Sequence, residues 1–125
     1  MTEKPIADRM YLKTAKSLAI FNGEAHPMLV AQMPQNLIDA GRERADVVLM
    51  FALNQNELEK FFPQALERLG EKGSLWVAFL KPTAAKATDL TRDKVSDWLK
   101  ERGVTAVANM SIDGDWSSWR LKRID

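Results

Sequence analysis

Three groups of polar residues stand directly behind apolar runs in this chain, and each has types suited to chemistry. Asn22, Gly23, Glu24 and His26 follow the run SLAIF, Asn54 and Gln55 follow ADVVLMFAL, and Lys81 follows SLWVAFL and leads through Lys86 and Asp89 to Arg92. Free histidine titrates near neutrality, so acid–base work is one use for His26 beside Glu24; a lone loop histidine before a proline is as readily a structural group. Ser117 and Ser118 have no local base and are expected to face outward on a strand, so no residue is assigned a catalytic role. Lys81 and Arg92 suit a phosphate or carboxylate, with the amides that open a helix after Thr91 adding partial positive charge. The alternative is that Lys81 and Lys86 are solvated and that Asp89 pairs with Arg92 to hold a loop. Trp116, next to Asp113-Gly114-Asp115, either closes one side of the same crevice or covers the edge of the core. The ligand-binding candidates are therefore Asn22, Gly23, Glu24, His26, Asn54, Lys81, Asp89, Arg92 and Trp116.

Composition narrows the partners. With 18 basic and 17 acidic residues the net charge is +1, which supplies no overall field to attract nucleic acid or an anionic membrane, so neither is expected as a partner. There are no cysteines and one histidine, which rules out thiolate chemistry, disulfides and any metal site that needs two imidazoles; no metal is expected. No apolar run approaches the roughly 20 residues that span a bilayer, and MTEKPIADRM lacks an apolar signal core, so a cytoplasmic location is expected.

The elements that would position the candidates follow from periodicity. The whole chain, 1–125, reads as a single domain, with 1–14 an N-terminal arm packed onto it. SLAIF is a short buried strand ending at the turn dipeptide Asn22-Gly23, one or two helical turns follow Pro27, and a short edge strand is expected around Leu37 and Ile38. ADVVLMFAL, from Ala45 to Leu53, suits a central strand covered on both faces. Leu58, Phe61, Phe62, Ala65, Leu66 and Leu69 form one helical stripe behind the caps at 54–56, with Glu57, Glu59 and Lys60 on its solvated face. Pro63 predicts a kink or two short helices, since an interior proline costs about 3 kcal/mol, and Gly70 or Gly73 is expected to end the second. SLWVAFL, from Ser74 to Leu80, is the next buried strand, with Trp76 in the core. A helix capped by Thr91 runs through Val95, Trp98 and Leu99 to Gly103, with Trp98 also in the core. Val104 to Ile112 alternates as a strand with Ala106, Ala108, Met110 and Ile112 on one face. A hairpin at 113–115 then leads into a last, antiparallel strand ending at Ile124.

This order, with ALERLGEKGSLWVAF, ADVVLMF and VTAVANMSIDGDWSSWRLKRI, resembles the second half of class I methyltransferases from Ala45 onward. The resemblance implies a Rossmann-like, methyltransferase-like domain. FNG followed by EAHP, KPTAAKATDLTRD and DGDWSSWRL bring the whole chain closer to a small uncharacterised bacterial family with a shrunken version of that fold. Where those enzymes use a glycine-rich turn for the cofactor's amino-acid end, this sequence reads FNGEAHPM with one glycine, and only Asp39 stands near the place of their ribose-binding acid. That counts against S-adenosylmethionine and leaves the cofactor unassigned. The expected fold is a three-layer α/β domain, a mostly parallel sheet of about five to six strands with an antiparallel C-terminal strand. The expected function is a non-catalytic methyltransferase-like domain for small-molecule binding or protein interaction. The alternatives are an enzyme acting on a small anionic molecule through the Lys81 to Arg92 loop, and a homodimeric scaffold whose shortened sheet leaves an edge exposed.

Overall fold

The computed structural model describes residues 6–10, 12, 15–38, 44–81 and 90–124. Its strands are β1 (Leu18–Phe21), β2 (Ala45–Ala52), β3 (Leu69–Leu80), β4 (Val104–Ser111) and β5 (Trp116–Arg123). Its helices are α1 (Ile6–Arg9), α2 (Pro27–Ala31), α3 (Gln55–Arg68) and α4 (Arg92–Lys100). The sheet order is β1-β2-β3-β5-β4. β1, β2 and β3 are parallel, and β5 runs antiparallel to both β3 and β4. β4 therefore runs with the first three, and the carboxyl ends of four strands meet at one edge of the sheet. Pairing of Phe21 with Met50 and of Ala52 with Phe79 brings Asn22, Asn54 and Lys81 to that edge together.

Two apolar clusters hold the faces of the sheet. Val48, Met50, Val77 and Phe79 pack under α3 and α4 through Leu58, Phe62, Val95 and Leu99. Val47, Leu49, Phe51 and Trp76 face the other way, against Met10, Leu12, Leu29 and Met33, so the described part of the N-terminal arm is seated on the domain. Alternation along β2 supplies both faces because each is covered.

Several local expectations are corrected. α3 is one unbroken helix through Pro63, which lies on the exposed side, where water reaches the carbonyl that the ring leaves without a donor. Neither Gly70 nor Gly73 ends it. Arg123 Nη2 instead donates to Leu66 O at 2.6 Å and Leu69 O at 2.9 Å, satisfying the last carbonyls from across the sheet, and β3 begins at once. The two glycines lie in β3 where its register against β2 is irregular: a Cβ at Gly73 would stand 2.9 Å from Asp46 O and 3.1 Å from Ala45 O.

The edge strand expected at Leu37 and Ile38 is a 3-10 turn, Gln35–Leu37, with a single bridge from Ile38 to Leu18. Gln35 holds the turn by donating to Val30 O and Met33 O. A bulge between Ala106 and Ala108 breaks the alternation of β4. Ala106 therefore packs on the helical side while Met110 and Ile112 pack on the other, and the four do not share a face. Ser117 and Ser118 are buried rather than outward, each donating to Met110 O. Trp76 is in the core, whereas Trp98 is only partly covered, edge-on to Phe62 with the Arg102 guanidinium 3.7 Å above its ring. Among the described residues no helix is long and apolar enough to cross a membrane.

Candidate functional site

The first polar group closes a gap between two strands. Asn22 takes the left-handed conformation at φ 59°, which asparagine tolerates because its short amide bonds nearby backbone. From there Nδ2 donates to Phe51 O at 3.0 Å and to Glu57 Oε1 at 2.8 Å, tying the turn after β1 to the end of β2 and the start of α3. The same Glu57 oxygen accepts from Leu53 N at 2.8 Å, and Asn54 Oδ1 accepts from Glu57 N at 2.9 Å. This is a capping box shifted by one residue, with a glutamate in the first turn reaching back over the helix start. Glu57 was expected on the solvated face beside Glu59 and Lys60; it is partly buried and carries the junction, and the signal for it was Asn54 standing three residues ahead. Gly23 is small for a reason inside the protein: a Cβ there would stand 3.1 Å from both Ile20 and Val30. Glu24 is exposed and makes no bond to this junction.

The second group unites residues 87 positions apart. His26 caps α2, its Nδ1 accepting from Leu29 N at 3.3 Å, so in the neutral ring Nε2 carries the proton and donates to Asp113 Oδ2 at 2.8 Å. The ring lies 5.6 Å from Trp116 and 6.1 Å from Phe51, and Phe51 meets Trp116 edge-on at 5.5 Å. Asp113 also organises the hairpin, Oδ1 accepting from Asp115 N at 2.9 Å and Trp116 N at 2.8 Å. Partial burial alone would raise the Asp113 carboxyl. The His26 hydrogen bond, the two amides and the His26 charge together outweigh that and hold it below its ordinary value. Trp116 is buried against the core edge rather than standing open to a crevice. Local reading missed Asp113 as a partner because nothing near it in the chain points to His26.

The third group lines a cleft of about 430 Å³ on the α4 side of the same edge, where Phe79, Lys81, Thr91, Arg92 and Asn109 meet. Thr91 caps α4 by accepting from Lys94 N at 3.3 Å. Trp119 Nε1 donates to Arg92 O at 2.9 Å and fixes the helix start to β5. Lys81 Nζ donates to Ser111 Oγ at 2.7 Å and Asp113 O at 2.6 Å. Lys81 and Arg92 thus share a cleft, on the opposite face of the sheet from the aromatic cluster around His26. Lys86, Asp89 and Asp39 lie outside the described residues, and Arg92 approaches Asp93 at 3.6 Å.

Among the described residues no three His, Asp or Glu side chains are grouped to hold a metal. Structures similar to this chain are class I S-adenosylmethionine-dependent methyltransferases. They include a ribosomal protein L11 methylase from Lactobacillus delbrueckii subsp. bulgaricus (TM-score 0.59, 12% identity, 94% of this chain and 74% of that one). The glycopeptide N-methyltransferase MtfA, solved with sinefungin, aligns at TM-score 0.61 and 10% identity over 95% of this chain and 91% of its own. An rRNA methylase from Streptococcus thermophilus aligns at TM-score 0.54 and 13% identity over 100% and 99%. At such identities the likeness concerns the fold alone. No curated protein matches in sequence. The model of the family described as protein of unknown function (DUF3052) matches residues 26–124, and the chain belongs to that family.

Proposed function

We propose that this chain is a non-catalytic methyltransferase-like domain that binds a small molecule, its fold retained and the cofactor crevice between β1 and β2 given over to protein contacts. The observation that carries this is the Asn22 side chain, bonded to both Phe51 O and Glu57 across the mouth of that crevice. In this fold class the pyrophosphate or amino-acid end of a nucleotide cofactor approaches bare backbone at a glycine turn. Here the one glycine is occupied by the close approach of Ile20 and Val30, so its missing side chain makes room for protein rather than ligand. These residues do not fit S-adenosylmethionine. The non-catalytic reading has a second support: both ring nitrogens of His26 are engaged, and a base needs one free.

The three-layer form of the fold belongs to the same reading, with α3 and α4 as one outer layer and the N-terminal segments as the other. So does a cytoplasmic location in a bacterium. Homodimerisation would use an outer strand, β1 or β4, where a shortened sheet ends, and light scattering reads it. A second reading, an enzyme acting on a small anion, is favoured by Lys81 and Arg92 lining one cleft. Turnover of an anionic substrate that Lys81→Ala and Arg92→Ala both abolish would establish it.

The test of the leading reading is calorimetry of the full chain with S-adenosylmethionine and with S-adenosylhomocysteine. No saturable heat is expected from either; stoichiometric binding overturns the reading.

A further inference from the structure

We infer that the cleft between the carboxyl end of β3 and the first turn of α4 is the binding site of a small organic anion, a carboxylate or phosphate carried on a compact apolar body. This rests on the reading of the chain as a small-molecule binding domain and names the class of ligand. Three observations converge on it.

The first is charge. Lys81 lines the cleft and its ammonium donates to two neutral oxygens, Ser111 Oγ and Asp113 O. An ammonium has three N–H groups, so one remains, and no carboxylate lies within ion-pair distance of Lys81 among the described residues. The other charges at the rim, Arg92 and Asp93, lie 3.6 Å apart and offset each other. Among the described residues the cleft therefore carries one positive charge without an ion-pair partner, held in place by two hydrogen bonds at the end of a buried strand. A lysine used only for solubility would have no need of that fixture.

The second is shape. At about 430 Å³ the cleft falls within the range of about 300–1,000 Å³ typical of small-molecule sites. The surface lining the cleft is mostly carbon, over a floor closed by the buried Phe79, which an inorganic ion alone would leave unused.

The third is preorganisation. Trp119 pins Arg92 O, and the Asn109 amide nitrogen is tied to Ser118 O at 2.9 Å and Ser117 Oγ at 3.3 Å. The walls are thus fixed to β4 and β5 before any ligand arrives, and little ordering is left for binding to carry out.

The experiment is a titration of the isotope-labelled full chain with phenyl phosphate, benzoate and inorganic phosphate, followed by amide chemical shifts. Saturable shifts confined to Lys81, 91–93, Asn109 and Ser117, stronger for the two aromatic anions than for inorganic phosphate, are expected. Lys81→Met should weaken phenyl phosphate at least about tenfold, the scale of one charged hydrogen bond. Asn109→Asp, on an exposed edge strand, adds a like charge to the cleft and should weaken it similarly, which keeps the test decisive if Lys81→Met does not fold. Shifts elsewhere, an affinity in both variants unchanged from that of the native chain, or no saturable shifts with any probe overturns the inference. Saturable binding of S-adenosylmethionine by the same sample would overturn the closed-crevice reading while leaving this cleft standing.

Discussion

Glu57→Ala should destabilise the domain by more than its partly exposed position on a helix suggests. One carboxylate oxygen accepts from Asn22 Nδ2 and from Leu53 N, both at 2.8 Å. A hydrogen bond to a charged group contributes about 1.5–3 kcal/mol net, and partial exposure places both bonds at the low end, near 3 kcal/mol together. Favourable interaction with the α3 N-terminus adds about 0.3–1 kcal/mol, and the better helix propensity of alanine offsets about 0.4. The expected loss is therefore about 3 kcal/mol, while Glu57→Gln, which keeps an oxygen but not the charge, should lose about 1. Pairing Glu57→Ala with Asn22→Gly isolates the contact across the crevice, because glycine accepts the left-handed backbone at position 22 without strain. Urea unfolding of the four proteins, with unchanged slopes, should give a coupling energy of about 1.5 kcal/mol. Additivity to within about 0.3 kcal/mol would show that Asn22 and Glu57 do not act together and would refute the closed junction.

Gly73→Ala should cost about 2–3 kcal/mol in the same assay, because its Cβ would press on two backbone carbonyls of β2, whereas Gly114→Ala, with open space around it, should change stability by less than about 0.5. Arg123→Ala should cost about 2 kcal/mol and fray the last turn of α3, read as faster amide exchange there, because Leu66 O and Leu69 O both lose the guanidinium and Leu66 O keeps only the Leu69 amide. The Asp113 carboxyl lies below its ordinary value in the folded chain, so the unfolded chain binds its proton more readily and folding stability rises with pH across the acid range. Its contribution is complete above the unfolded carboxylate value and disappears as pH falls through the lower folded one; the stability gap between the native chain and Asp113→Asn should narrow along that path.

What could be read from the chain was whatever depends on short-range periodicity. The doubly covered run at 45–52, the stripe of α3, the caps Asn54 and Thr91 and the hairpin at 113–115 each carry their signal within a few residues. Pro63 and Glu57 were misjudged on local grounds, but other errors share a cause, which is long-range substitution for a local rule. Gly70 and Gly73 look like a helix stop, but Arg123 performs that task from 54 and 57 residues away and leaves the glycines for a close passage beside β2. The bulge in β4 flips half of a clean alternation, and no single-strand pattern shows it. At the site, the convergence of Asn22, Asn54 and Lys81 followed from three parallel strands. The partners that decide their roles did not: Asn22 meets Glu57 at a separation of 35 residues, and His26 meets Asp113 at 87.

In the proposed function, protein side chains occupy the crevice that a methyltransferase gives to its cofactor. A crystal structure of the full chain grown with excess S-adenosylmethionine tests it most directly. Asn22 Nδ2 is expected within hydrogen-bonding distance of Phe51 O and Glu57, with no nucleoside density between β1 and β2. Ordered cofactor there, with Asn22 swung away from Glu57, would contradict it.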